Sequence, residues 1–128
     1  MYWCFHCYAV NDHRTGPCDV CGHPVEGPAG LSYAAQLVWT LGHPDGDRAV
    51  QAAKTLGRLR ARESIPALRA TAESGKDVYL RAAALRSLID IEGAGSLRPW
   101  LEHLSRDAPV TVRDVAQQAL EDMARGSR

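Results

Sequence analysis

From Ser32 onward the apolar residues fall in a helical rhythm, and the rhythm repeats. Ser32, Ser64 and Ser96 stand 32 positions apart; Ala52, Ala84 and Ala116 keep the same step, and so do Leu56, Leu88 and Leu120. Alanine and leucine coincide readily in such a composition, but serine in step with them marks a true period. A fixed period of this length signals stacked helical units, each too small to bury its apolar face alone. The pattern predicts six helices in three hairpins: 32–41 with 47–59, 64–74 with 77–91, and 96–105 with 109–124. Ser32, Ser64 and Ser96 are expected to cap the first helices, and Asp47 and Asp77 two of the second ones. Residues 43–46 and 93–95 read as turns.

The second helix of each unit carries the clearest line. Arg48, Leu80 and Val112 open it, the periodic alanines follow four residues later, and the leucines four later still. Positions i, i+4 and i+8 share one helix face. Alanine at the centre of that face lets a neighbouring helix come close, and leucine at its end fills the space between units. The expected architecture is all-α: a short α-solenoid of three helical hairpins, 32–63, 64–95 and 96–128.

The first thirty residues read differently. Cys4-Phe5-His6-Cys7 and Cys18-Asp19-Val20-Cys21 are separated by ten residues. Each Cys-x-x-Cys turns on itself and aims two thiolates at one point, and two such knuckles form the tetrahedral sulfur set preferred by zinc. Iron in a rubredoxin-like site uses the same ligands. A closed four-sulfur shell has no open position for substrate, so the metal is expected to be structural. Gly22 follows the second pair, where a knuckle favours a residue without a Cβ. His6, His13 and His23 read as surface residues, and Tyr2, Trp3, Phe5 and Tyr8 as packing on the knuckles or on the first helix. Residues 1–23 thus read as a four-cysteine zinc finger. Residues 24–31, with two prolines and two glycines in 24–30, form a stiff connector short enough to hold finger and array in contact.

Composition narrows the function. The chain of 128 residues has 45% apolar content, enough for a core, and its 15 basic and 15 acidic residues cancel. No strong field favours nucleic acid or an anionic membrane. There is no basic-flanked apolar leader and no apolar run of about 20 residues. A cytoplasmic protein is expected, and in a reducing compartment four clustered cysteines point to metal rather than disulfides.

Two resemblances add to this reading. Tyr2, Cys4, Cys7, Asn11, Cys18 and Cys21 resemble the zinc finger of the Ran-binding-protein type, which implies a small β-hairpin zinc finger, of two hairpins, whose Asn bonds its own backbone. Such fingers bind single-stranded RNA or ubiquitin. The aromatic that RNA binders carry after the Asn is Asp12 here, their arginine pair is Arg14 with Thr15, and the Thr-Phe of ubiquitin binders is Tyr8-Ala9. The resemblance therefore implies the metal site and fold, not either ligand. The string Leu80-Arg81-Ala82-Ala83-Ala84-Leu85-Arg86-Ser87-Leu88, echoed by Val112-Arg113 with Ala116, Ala119 and Leu120, resembles HEAT repeats, closest to the short bacterial form of phycobilisome-lyase-like proteins. That resemblance implies a structural ladder between units through Asp77, Arg81 and Arg113, and a concave face lined by the second helices.

On that face the solvent-side rows are Val50, Ala53, Lys54 and Gly57, then Ala82, Leu85, Arg86 and Ile89, then Asp114, Gln117, Gln118 and Glu121. The last set is polar, as befits a terminal unit. Leu85 and Ile89, rimmed by Lys54 and Arg86, are the candidate partner-binding patch. Arg58, Arg60 and Arg62 are a candidate anion-binding strip. Trp39 and Trp100 read as fillers of the core or of grooves. The expected function is a non-catalytic adaptor that docks another protein, with no membrane and no small-molecule substrate. The alternative is binding of single-stranded nucleic acid through the finger and the Arg58–Arg62 strip. No nucleophile–base pair stands out, and all four cysteines are committed to metal, so no catalytic residue is assigned.

Overall fold

The computed structural model describes residues 1–74 and 77–126. Two short strands, β1 (Tyr2–Trp3) and β2 (Val10–Asn11), pair antiparallel with Tyr2 opposite Asn11. Six helices follow: α1 (Tyr33–Thr40), α2 (Gly46–Arg58), α3 (Ile65–Ser74), α4 (Val78–Glu92), α5 (Arg98–Asp107) and α6 (Val110–Gly126). A 3-10 turn, Arg62–Ser64, leads into α3. Each predicted hairpin forms, so the molecule is a short α-solenoid preceded by a hairpin. Among the described residues, no helix is long and apolar enough to cross a membrane.

The serines keep the period, but only Ser32 keeps the predicted role. Ser32 caps α1, its Oγ accepting from the Ala35 amide at 3.1 Å. Ser64 is buried in the 3-10 turn and donates its hydroxyl to the Ala61 carbonyl at 2.6 Å. Ser96 lies in the turn before α5, which starts behind Leu97 without a side-chain cap and with Pro99 in its first turn. There the ring's fixed φ favours the helix start in place of a cap. Asp77 caps α4 through the Tyr79 amide as expected, whereas α2 is capped by Asp45, whose Oδ1 accepts from the Asp47 amide at 3.1 Å.

The second helices form the spine of the molecule. α2 packs on α4 and α4 on α6, while α1, α3 and α5 back them in turn. Ala52, Ala84 and Ala116 are buried along this seam, with Leu56 and Leu88 at the unit boundaries and Leu120 partly covered. Ser87 Oγ donates to the Ala53 carbonyl at 2.6 Å, tying α4 to α2 where Gly57 lets the helices meet. Between first helices, the Arg69 guanidinium lies 4.4 Å above the Trp100 ring.

This arrangement overturns part of the expected surface. α4 has α2, α3 and α6 around it, so Ala82 and Leu85 are buried, and Leu85 has no exposed surface at all. Leu85 is a core residue and is unavailable to a partner. Ala53 and Gly57 are likewise buried on α2. The Asp–Arg ladder is not formed among the described residues. Arg81 instead donates through Nε to the Ala72 carbonyl at 2.9 Å, closing the end of α3, and Asp77 is occupied as a cap.

Two core substitutions measure the seam. Ala84→Leu should overpack it and lower stability by about 1–3 kcal/mol. Leu85→Ala should cost about 2–5 kcal/mol, as expected for a core position. Urea unfolding checks both, and a neutral Leu85→Ala would return that side chain to the surface.

Candidate metal centre

The four cysteine sulfurs converge. Cys4 Sγ lies 3.7 Å from Cys21 Sγ, and Cys7 Sγ lies 3.7 Å from Cys18 Sγ, with all four within 4.8 Å of one another. None is in a disulfide. A tetrahedron with metal–sulfur bonds of about 2.3 Å has edges of about 3.8 Å, so the set fits a tetrahedral thiophilic ion. Amide groups point at the sulfurs. His6 N–H donates to Cys4 Sγ at 3.3 Å, and Val20 N–H and the Asn11 side-chain amide each donate to Cys18 Sγ at 3.4 Å. Asn11 also ties its surroundings together, donating to the Ala9 carbonyl at 3.2 Å and accepting from the Asp19 amide at 2.9 Å. A bridge between Pro17 and Pro24 makes a second small hairpin, and Val25 fills the floor beside Cys4 and Cys18.

The thiols compete for ionisation. Cys18 is pulled down to about 6, first by a backbone hydrogen bond at Cys21 and then by the Asn11 amide. At Cys7 a backbone hydrogen bond at Ala9 favours the thiolate, but desolvation and the neighbouring sulfurs outweigh it and push the thiol up to about 12. Four thiolates this close repel one another, and a dication at their centre removes that conflict.

The two knuckles impose one backbone requirement and meet it differently. The residue after the second cysteine of each pair is left-handed: Gly22 at φ 79° and Tyr8 at φ 65°. Glycine adopts this at no steric cost, whereas a tyrosine is strained by about 1–2 kcal/mol. Tyr8 is held there by the array. Its hydroxyl donates to the Trp39 carbonyl at 2.6 Å, and its ring stacks on Trp39 at 4.9 Å. Phe5 stacks on Trp39 at 5.2 Å, and Trp39 Nε1 donates to the Phe5 carbonyl. A Cβ at Gly42 would lie 2.5 Å from the Tyr8 hydroxyl, so a glycine is needed for this approach. Trp3 meets His43 edge-on at 4.3 Å. The expected packing of finger aromatics on the first helix is present, and Trp39 and His43 are the array's half of it.

Away from the finger, a groove of 870 Å³ runs between α4 and α6. Ile89, Val115, Ala119 and Met123 line it, with Arg86, Asp90 and Asp114 at its edges. The helical pairs on either side of it match a family of HEAT repeats over residues 34–121. The chain belongs to the HEAT-repeat family. No curated protein and no solved structure matches it.

The HEAT array separates residues that the sequence grouped. Arg86 and Ile89 sit together on the α4–α6 groove. Lys54 is exposed on α2 and lines no part of that groove. Arg58, Arg60 and Arg62 are all exposed, and the contacts of Arg58 and Arg62 diverge. Arg58 donates to Thr55 Oγ1 at 3.2 Å, and Arg62 Nη1 reaches the Ile91 carbonyl at 3.5 Å. Arg60 occupies a left-handed turn at φ 50°. His6 and His23 stack at 3.7 Å beside Cys21, and His13 bonds Asp12 and the Pro17 carbonyl, so these histidines lie outside the four-sulfur set.

Removing the metal with a chelator should release Trp39 from its sandwich while the array stays helical. In a Trp100→Phe background the emission of Trp3 and Trp39 should shift to the red, with far-ultraviolet dichroism largely kept; an unmoved emission spectrum would show that the docking does not need the metal. Tyr8→Gly should relieve the strained knuckle and keep the metal, yet produce the same red shift. Loss of metal from that variant, read by a chromogenic chelator, would contradict this division of roles.

His43 supplies a pH dependence. Burial, aided by the Arg48 charge and opposed by Asp45, holds its imidazole below the ordinary value of 6.5. The unfolded form therefore binds the proton first. The stability contributed by neutral His43 is present above about pH 6.5 and is lost as pH falls through its folded value. Between pH 7.5 and 5, wild type should lose more stability than His43→Gln, and parallel curves would exclude His43 as the source.

Proposed function

We propose that this HEAT-repeat protein is a non-catalytic adaptor that docks another protein in the groove between α4 and α6. The observation that carries the reading is the half-buried Ile89 at that groove, among apolar neighbours and beneath charged edges. Asp90 and Asp114 are exposed there without ion-pair partners among the described residues, and Arg86 stands with them. An amphipathic helix with lysine or arginine beside its apolar stripe complements that edge, and helix-in-groove binding is a common use of such surfaces. Solenoids present extended surfaces suited to docking.

In this reading the N-terminal unit is a structural zinc finger of the Ran-binding-protein type. The pairing of Tyr2 with Asn11 and the bonds from Asn11 to its own backbone support that assignment. Zinc suits the sulfur set, and the reducing cytoplasm suits four free thiols. Arg58 and Arg62 diverge in their contacts, which favours the adaptor over a nucleic-acid reading.

Capture from nuclease-treated lysate tests the reading. A protein bound by wild type and by Lys54→Glu, but lost with Ile89→Glu, should cross-link to a photoreactive residue placed at Gln118. A captured set indifferent to Ile89→Glu would remove the groove from the function. A set abolished by nuclease alone would transfer the function to nucleic acid.

A further inference from the structure

Where the finger meets the array, the two leave a cleft of 560 Å³. Trp3, Phe5 and Leu31 form one wall, and α1 forms the other, with His43 and Arg48 beyond it. This is the volume of a small-ligand site, with apolar surface beside polar groups that can fix orientation.

The state of those polar groups indicates what would fill it. Gln36 donates to the Leu31 carbonyl, Thr40 to the Gln36 carbonyl and Trp39 to the Phe5 carbonyl, while Glu26 accepts from the Gly16 amide. Arg48 pairs with Asp45 at 3.6 Å. Among the groups left over, Arg14 and the Tyr2 hydroxyl are open to the cleft. Arg14 is exposed and has no partner among the described residues. His43 is only 6% exposed, and its Nδ1 accepts from the Asp45 amide at 2.9 Å, which places the proton of the neutral ring on Nε2. That Nε2 has no hydrogen-bond partner, but with less than 1 Å² of exposed surface it is closed to a ligand in the cleft. Both open groups can donate, and Arg14 carries a full positive charge. A ligand that satisfies them brings oxygen acceptors and a negative charge, and the walls require an apolar body.

We infer that this cleft binds a small apolar acid: an aromatic or alkyl group bearing a carboxylate. The carboxylate meets Arg14, and the body lies against Trp3 and Leu31. Such an acid can be a free compound or the hydrophobic C-terminal residue of a polypeptide. The site is independent of the α4–α6 groove, so either can fail without the other.

Calorimetric titration of the full, metal-loaded chain tests it, using indole-3-propionate and acetyl-Gly-Gly-Phe as probes, each as free acid and as amide. At least one acid should bind saturably, its amide about tenfold more weakly, and Arg14→Gln should weaken the acid by about tenfold or more. Ile89→Glu should leave this binding unchanged. Binding of the indole acid alone identifies a free acid as the source of the ligand, and binding of the peptide alone identifies a chain terminus. Absence of saturable binding by both acids, equal affinity for acid and amide, or indifference to Arg14→Gln would overturn the inference. Arg14 is exposed, so its replacement leaves the fold intact. The indole N–H resonances of Trp3 and Trp39 locate the ligand, and a bound acid that shifts neither would overturn the inference as well.

Discussion

Close contact of α4 with three neighbours is the constraint on which the array depends. The alanines at 52, 84 and 116 let the second helices approach, and each approach removes another side of α4 from solvent. Once α2, α3 and α6 are in place, a narrow strip through Arg86, Ile89 and Asp90 is left. The surface offered to a partner is thus what the packing leaves over. Burying a leucine such as Leu85 is worth roughly 1.5–3 kcal/mol, so exposing it for docking would cost more than the added contact returns.

The N-terminal end of a stacked array has no preceding unit to cover it, and an uncovered end exposes apolar surface. α1 has no fully buried residue. Its Trp39 is covered by Phe5 and Tyr8, and its following turn by Trp3 against His43. The finger therefore occupies the place of a missing unit. A module of this size cannot do so by apolar burial alone, and an ion held by its four sulfurs would supply the rigidity it lacks.

Much of this was legible in the sequence, for definite reasons. The period in the second helices reports contacts between neighbouring units, which recur with the repeat, so the hairpins and the alanine seam could be read. The cysteine spacing reports local geometry in the same way. Helix rotation was harder. Leu80, Ala82, Ala83, Ala84, Leu85 and Leu88 give α4 apolar residues nearly all round, so no single face is marked as wet. Leu85 therefore reads as well on the concave face as in the core, and packing puts it in the core. The ladder failed because Arg81 found a nearer acceptor in the Ala72 carbonyl. The Trp39 sandwich and the His43 contact join residues more than thirty apart, and no spacing rule connects them. The one available signal was an aromatic cluster in the finger larger than two knuckles can cover.

The contrast between Tyr8 and Gly22 shows how metal site and array are coupled. Both close a knuckle with a left-handed residue, and glycine would serve the metal equally well at either place. A tyrosine at the first position accepts backbone strain that the metal does not require. Its hydroxyl bond and its stack on Trp39 offset that strain, and both exist only when the finger is docked. A freely tethered finger would gain nothing from Tyr8. The side chain at this position therefore argues that finger and array work as one body, with the knuckle fixing the first helix.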